Sequence, residues 1–339
     1  MELGNAALPL LSLPDTVITS IIGQMEPASQ VWLSLLSTRA RSAVRSVGMT
    51  TSSLNVLLER AFQFELVAPE ESNQEPIVIG LHHTEEDEVS RVTMELADWG
   101  EAATATVANF KMSIRDWIQH MTFILNHGGI DELKLTGESE DFGVERLRKS
   151  VKDLAIKTMT LTATCTGKHA KEVIPKIVTP HINVDSALVM ESDTMAMIMM
   201  NNFTSIIVGG PSMPGMTIRR DLIAESQVGS LDARCVNFDS KAINRYLKQW
   251  RAGNILNLHH LSITIGNGVQ HDADAVLWKL PHQMMPMESI TRFPHSAFAE
   301  EIVINGGCII KKSDIRDREQ AIIIFTAIEE GTRFEMFVI

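Results

Sequence analysis

The side chains best equipped for chemistry in this chain are eleven histidines and three cysteines, and their spacing decides what they can do. His82 and His83 are adjacent, as are His259 and His260, and both pairs fall in stretches that read as strands. Neighbours in a strand point to opposite faces, so neither pair can close on one ion. His120 and His127 stand two helical turns apart with no carboxylate at ligand spacing between them. Cys165, Cys235 and Cys308 are odd in number, widely separated and outside any CxxC pair, which argues against a disulfide framework or a zinc site and for a reducing compartment. No GxSxG elbow, HExxH helix or GxGxxG loop is present; Gly209-Gly210-Pro211-Ser212 and Gly266-Asn267-Gly268 read as turns. The expectation is a chain with no catalytic residue, no metal and no cofactor. Two clusters stay open. Glu85-Glu86-Asp87-Glu88 is either a lure for a basic partner or cation, or a solvated turn. Met190, Met195, Met197, Met199 and Met200, followed by Met213 and Met216, make either an adaptable binding surface or irregular core packing around a helix from Ser192 to Asn201.

The elements that must position these residues belong to a globular protein. The 339 residues are 45% hydrophobic and 21% charged, and their length fits two or three domains. Thirty Lys and Arg stand against 42 Asp and Glu, a net charge of −12, opposite in sign to a phosphate-backbone binder, so nucleic acid is excluded as a partner. No apolar run approaches the length of a membrane span, and the first residues make a poor secretory signal because Pro9 and Pro14 interrupt them. A cytoplasmic or nuclear protein is expected.

Residues 1–50 read as three short helices. Pro14 and Asp15 suit a first turn, and Ile18, Ile21, Ile22 and Met25 form one apolar stripe behind them. Glu26-Pro27-Ala28-Ser29 breaks this helix. Val31, Leu35 and Leu36 mark a second helix, and Ala40, Val44 and Val47 a third that stops at Gly48. A unit this small is below the size that buries a self-sufficient core, so it needs a partner. Residues 51–112 read as a connecting helix and a small antiparallel sheet, with strands at Ile77-Val78-Ile79 and around Val92, Met94 and Leu96. Residues 113–339 read as irregular, leucine-rich-repeat-like α/β. An apolar-x-x-apolar-x-apolar hexad starts at Ile130, Ile156, Val184, Phe203, Val228 and Leu258, steps of 26, 28, 19, 25 and 30 residues. Helical stripes lie between them: one capped by Ser113 and Asp116 and stopped by Gly128-Gly129, one at Val144, Leu147, Val151 and Leu154, and one capped by Asp239 or Ser240, carrying Tyr246 and Trp250 as core anchors and ended by Gly253. None of the hexads has the Asn that would link such units, so an ordinary parallel α/β sheet is the competing reading.

The first fifty residues resemble an F-box in order and spacing: Leu13-Pro14, Ile21-Ile22, Met25, Glu26-Pro27, then Leu36-Ser37-Thr38-Arg39. Thr16, Ser37 and Ala40 replace the usual Glu, Cys and Trp of that motif. With Trp117-Ile118-Gln119-His120, Ile243-Asn244-Arg245-Tyr246-Leu247-Lys248-Gln249-Trp250 and Leu258-His259-His260-Leu261, the whole chain is similar to the nematode family in which an F-box precedes an F-box-associated domain of the second type. The resemblance implies a non-catalytic substrate receptor of a Skp-cullin-F-box ubiquitin ligase. Its F-box would bind the Skp-type adaptor, and through it a cullin, by Leu13, Pro14, Ile18, Ile21, Ile22, Met25, Pro27, Leu36 and Arg39. Its C-terminal domain would hold a target, and the acidic net charge points to a basic surface on that target. The rivals are a scaffold of the same fold that has lost ligase recruitment, and an α/β enzyme whose site the sequence does not advertise.

Overall fold

Beyond its first three helices the chain is built of strands with period-two alternation and of helices that connect them. The computed structural model describes residues 10–49, 51–67, 76–83, 89–96, 105–108, 112–185, 187, 192–209, 222–223, 226–234, 238–255, 257–265, 272–294, 301–313, 319–328 and 331–339. They fall into two compact units, residues 1–134 with 141–157, and residues 135–140 with 158–339.

The first unit opens with α1 (Asp15–Ile22), α2 (Pro27–Ser34) and α3 (Thr38–Val47). Pro27 sits in the first turn of α2, where its missing N–H costs nothing, so the segment that ends the first helix also starts the second. Ser37 caps α3 by accepting from the Ala40 amide, and Gly48 closes it in the left-handed conformation. The described residues that come after position 50 do not form the expected connecting helix. Leu54, Val56 and Leu58 alternate, as do Phe62, Phe64 and Leu66, and both sets are buried, so this stretch forms the strands β1 (Ser53–Leu58) and β2 (Phe62–Val67). With β3 (Ile77–His83), β4 (Val89–Leu96) and β5 (Ala105–Ala108) they make an antiparallel meander, each strand pairing with the next. The acidic run Glu85–Glu88 lies outside the described residues. Next come α4 (Ile114–Ile124), opened by the Ser113–Asp116 capping box, then β6 (Gly129–Leu135) and α5 (Val144–Val151). The left-handed residue that ends α4 is Asn126, with φ 52°, and not Gly128 or Gly129. Gly129 has another reason to be glycine: a Cβ there would lie 2.2 Å from the Ala155 carbonyl oxygen.

The second unit is built on consecutive parallel strands. β7 (Ala155–Leu161), β8 (His181–Val184), β9 (Ser205–Val208), β10 (Ser230–Ala233) and β11 (His260–Ile265) pair in chain order. Parallel neighbours require crossovers, which α6 (Gly167–Val173), α7 (Ser192–Met199) and α8 (Ser240–Arg251) supply. Register aligns Met159, Ile182, Ile206, Leu231 and Leu261 in one buried row and Leu161, Val184, Val208, Ala233 and Ile263 in the next. Five of the six hexads read from sequence therefore coincide with strands. The third is misplaced: β8 uses Ile182 and Val184, so its hexad starts at Thr179 and the steps become 26, 23, 24, 25 and 30. No Asn ladder is needed, because the backbone continues the pairing beyond each strand: the amides of Thr162, Asp185, Gly209 and Arg234 donate to the carbonyls of Leu135, Leu161, Val184 and Val208. After α9 (Ala273–Leu277) the chain turns antiparallel. β12 (His282–Pro294), β13 (Glu301–Lys311), β14 (Gln320–Ile328) and β15 (Gly331–Val338) pair in succession, and β15 pairs with β11. Phe293, Ile304, Ile322 and Phe337 make a small core of their own there. No described helix is long and apolar enough to cross a membrane.

Candidate functional site

Two surfaces merit construction from their residues, one in each unit. In the first, Arg39 at the start of α3 donates to the Asp15 carboxylate at 2.8 Å and to the Leu13 carbonyl at 3.3 Å, holding the entry of α1 against α3. Both ends of this ion pair are largely exposed, so it fixes geometry more than it adds stability. Gln30, buried, donates to the Met25 carbonyl at 2.9 Å and sets the α1–α2 turn. Ile18 and Ile22 face inward with Val31, Ala40 and Val44. That leaves apolar side chains outside: Val17 and Ile21, one turn apart on α1, and Leu36, which is 72% exposed just after α2. Leu13, Met25 and Pro27 are half-buried, and Pro14 is exposed at the cap of α1. Of the nine residues read from sequence, Ile18 and Ile22 thus support the surface without forming it. Val17 escapes the sequence reading, because the i, i+3, i+4 stripe through Ile18 marks the inner face of α1.

This helical surface is anchored to α4. Ser34 donates to the Val31 carbonyl at 2.6 Å, so its oxygen accepts from Nε2–H of His120, 2.7 Å away. Burial, with a lesser contribution from the Arg41 charge, pushes the His120 pKa down to about 4, and the ring is neutral at physiological pH. Arg41 and Arg45 both place their guanidinium groups over Phe123, at 4.7 and 4.4 Å from the ring centroid, and Arg45 donates to Asn126.

In the second unit, register carries a polar row beside the apolar ones: Thr158, His181, Ser205, Ser230, His260. His181 Nδ1 lies 2.8 Å from Ser205 Oγ, and Ser230 Oγ lies 3.1 Å from His260 Nδ1. Serine beside histidine invites a test for nucleophilic catalysis. Ser205 and Ser230 are both buried, and His260 Nε2 stands 3.9 Å from Glu335, beyond hydrogen-bond range. Each serine and histidine of these pairs is within hydrogen-bond distance of the other inside the sheet, while the buried Nε2 of His260 has no hydrogen-bond partner among the described residues. A hollow of about 220 Å³ beside them is bordered by His259, Phe293 and Pro294, and the His260 ring stacks on Phe337 at 4.8 Å. As expected for strand neighbours, His259 is exposed and His260 buried. Burial raises the thiol pKa of Cys165 to about 12 and that of Cys308 to about 11, so neither is a thiolate at neutral pH; Cys235 lies outside the described residues. Among the described residues no group of three or more His, Cys, Asp or Glu could hold a metal. Met195 and Met199 are core residues of α7, while Met200 is half exposed. Met190, Met213 and Met216 lie outside the described residues. A larger groove, about 520 Å³, runs between Lys241, Asn244 and Arg245 of α8 and Asp272, Asp274 and Trp278 around α9.

Residues 10–51 match the F-box domain family. Residues 195–263, from α7 to the middle of β11, match the family described as F-box associated, so the chain carries an N-terminal F-box followed by an F-box-associated domain. No curated protein and no solved structure matches the chain.

Proposed function

We propose that this chain is a non-catalytic substrate receptor of a Skp-cullin-F-box ubiquitin ligase: the F-box binds a Skp-type adaptor, the adaptor brings the cullin, and the C-terminal region holds a target protein for ubiquitination. The observation that carries the reading is the outward apolar set Val17, Ile21 and Leu36 on a matched F-box. Side chains of this size on an otherwise small helical unit call for a cover: full burial of one from full exposure is worth about 1.5–3 kcal/mol, most of which remains to be gained at Leu36 and a smaller part at Val17 and Ile21. Pro14 and Arg39 would frame that contact, with Leu13, Met25 and Pro27 at its margin and Ile18 and Ile22 directly behind it. The rate gain of such a receptor comes from raising the effective concentration of target near the conjugating enzyme, for which no reactive side chain is needed here. We read the division of the chain at about residues 50 and 112 as functional, the parallel strand-helix units as leucine-rich-repeat-like, the family as the nematode one, and the place of action as cytoplasm or nucleus.

The test is co-purification of the full chain with a Skp-type adaptor, wild type against Ile21→Asp with Leu36→Asp. Both positions are exposed, so the variant should fold and lose the adaptor. Undiminished binding would overturn the assignment of this surface, and a wild-type chain that captured no adaptor would favour the scaffold that has lost ligase recruitment.

A further inference from the structure

The helix α8 has a charge unlike that of its chain. Across Ser240–Arg251 it carries Lys241, Arg245, Lys248 and Arg251 and no acidic residue, in a protein of net charge −12. Lys241, Arg245 and Lys248 recur at i, i+4 and i+7, so they line one stripe opposite the buried Ile243, Tyr246, Leu247 and Trp250. Lys241 and Arg245 are exposed, and among the described residues neither makes an ion pair. Lining the same groove of about 520 Å³ is Trp278, 64% exposed just after α9. Its backbone is not loose: the buried Asn244 of α8 donates to the Trp278 carbonyl at 2.9 Å and to the Val276 carbonyl at 2.6 Å. Lys279 adds a further cation 5.7 Å from the indole ring. A tryptophan and an arginine lining one groove have the composition of an interface hot spot, and the groove is in the size range of specific binding sites.

The acids of the same groove orient the ligand. Asp272 caps α9, accepting from the amides of Asp274 and Ala275, while its own amide donates to Ser240 Oγ at the start of α8, and Asp274 lines the same groove. A ligand uniformly dense in negative charge, such as a polyphosphate, would meet repulsion there. One that presents carboxylates to α8 and an apolar side chain to Trp278 would not. We propose that this groove docks an acidic segment of the target polypeptide, with carboxylates on Lys241 and Arg245 and an apolar residue against the Trp278 ring. The inference rests on the receptor reading above, and it replaces the basic target surface suggested by net charge with an acidic one suggested by local charge.

Fluorescence anisotropy of the full chain with a labelled peptide of alternating Glu and Leu tests it, with alternating Lys and Leu as the counterpart. The Glu peptide should bind, the Lys peptide should not, and binding should weaken as salt rises from about 0.05 to about 0.5 M. Lys241→Glu with Arg245→Glu should weaken it about ten-fold or more, and so should Trp278→Ala. Lys241→Gln with Arg245→Gln, a milder change at exposed positions, should give a smaller loss in the same direction. All three variants should still capture the Skp-type adaptor. Equal binding of the two peptides, or undiminished binding by the charge-reversed variant, would overturn the proposal while leaving adaptor capture intact; lost adaptor capture by the wild-type chain would instead refute the ligase reading.

Discussion

His120 makes the stability of the first unit depend on mild acid. Its pKa is about 4 in the folded chain against 6.5 for an exposed histidine, because it is buried against Ser34 with Arg41 nearby. Between those values the unfolded chain binds a proton that the folded chain refuses, so stability is fully present above pH 6.5 and is lost as pH falls towards 4. The full difference corresponds to about 3 kcal/mol, of which about 2 kcal/mol is already lost at pH 5. His120→Gln keeps an N–H within reach of the Ser34 oxygen and removes the titration. The buried His169 and the half-buried His181 also have lowered pKa values and act in the same direction, so the measurement must be a difference. Urea unfolding read by hydrogen exchange of amides in α2 and α4, at pH 7.5 and pH 5, gives it. The wild type should lose about 2 kcal/mol more than His120→Gln over that interval. A difference below about 0.5 kcal/mol, or one of opposite sign, would mean that the ring is protonated or hydrated in the folded chain and would refute the buried neutral bridge.

Other outcomes rest on single contacts. Gly129→Ala would put a Cβ 2.2 Å from the Ala155 carbonyl and 2.9 Å from its Cβ, where backbone must move; a destabilisation of about 1–3 kcal/mol is expected in thermal or urea unfolding. Leu231→Ala removes a wholly buried side chain from the middle of the apolar row and should cost about 2–5 kcal/mol by the same measurement. Cys165 and Cys308, protonated and buried, should resist iodoacetamide at pH 8 in the native chain and react once it is unfolded, as peptide mass spectrometry would show.

The part of the fold legible in the sequence is the part set by local chemistry. Ser37, Ser113 and Asp239 cap their helices where side-chain type and the adjoining apolar stripe place them, and Gly48 and Gly253 stop theirs because a positive φ is least costly there. The strands β6, β7, β9, β10 and β11 announce themselves by two apolar residues at alternate positions. β8 escapes because its first hexad residue is Thr179, while Val184, Ala187 and Val189 offer a complete apolar series just beyond it. The antiparallel end of the second unit has no counterpart in the sequence reading, although Phe334, Met336 and the run Ala321-Ile322-Ile323-Ile324 carry strand character; the pairing of β15 with β11 and of β14 with β15 is set across the sheet, beyond any sequence window. At the proposed adaptor surface the helices are legible but their rotation is not, so Ile18 and Ile22 group with Ile21. The groove at Trp278 is invisible for a similar reason: Arg245 and Trp278 come to one groove through tertiary contacts between α8 and α9, the Asn244 and Ser240 hydrogen bonds among them.

The double stack of Arg41 and Arg45 on Phe123, with the Ser34–His120 bridge, has a consequence for how such a receptor can be dissected. A truncation at residue 50 would strip the cover from a buried imidazole and an aromatic ring of α4, and the shortened chain would present a sticky face that the intact protein never shows. Partners gained by that fragment would reflect the cut. Ile21→Asp with Leu36→Asp tests the proposed recruitment while leaving the joint closed, and a chimera that moves this F-box onto another carrier would have to bring α4 with it.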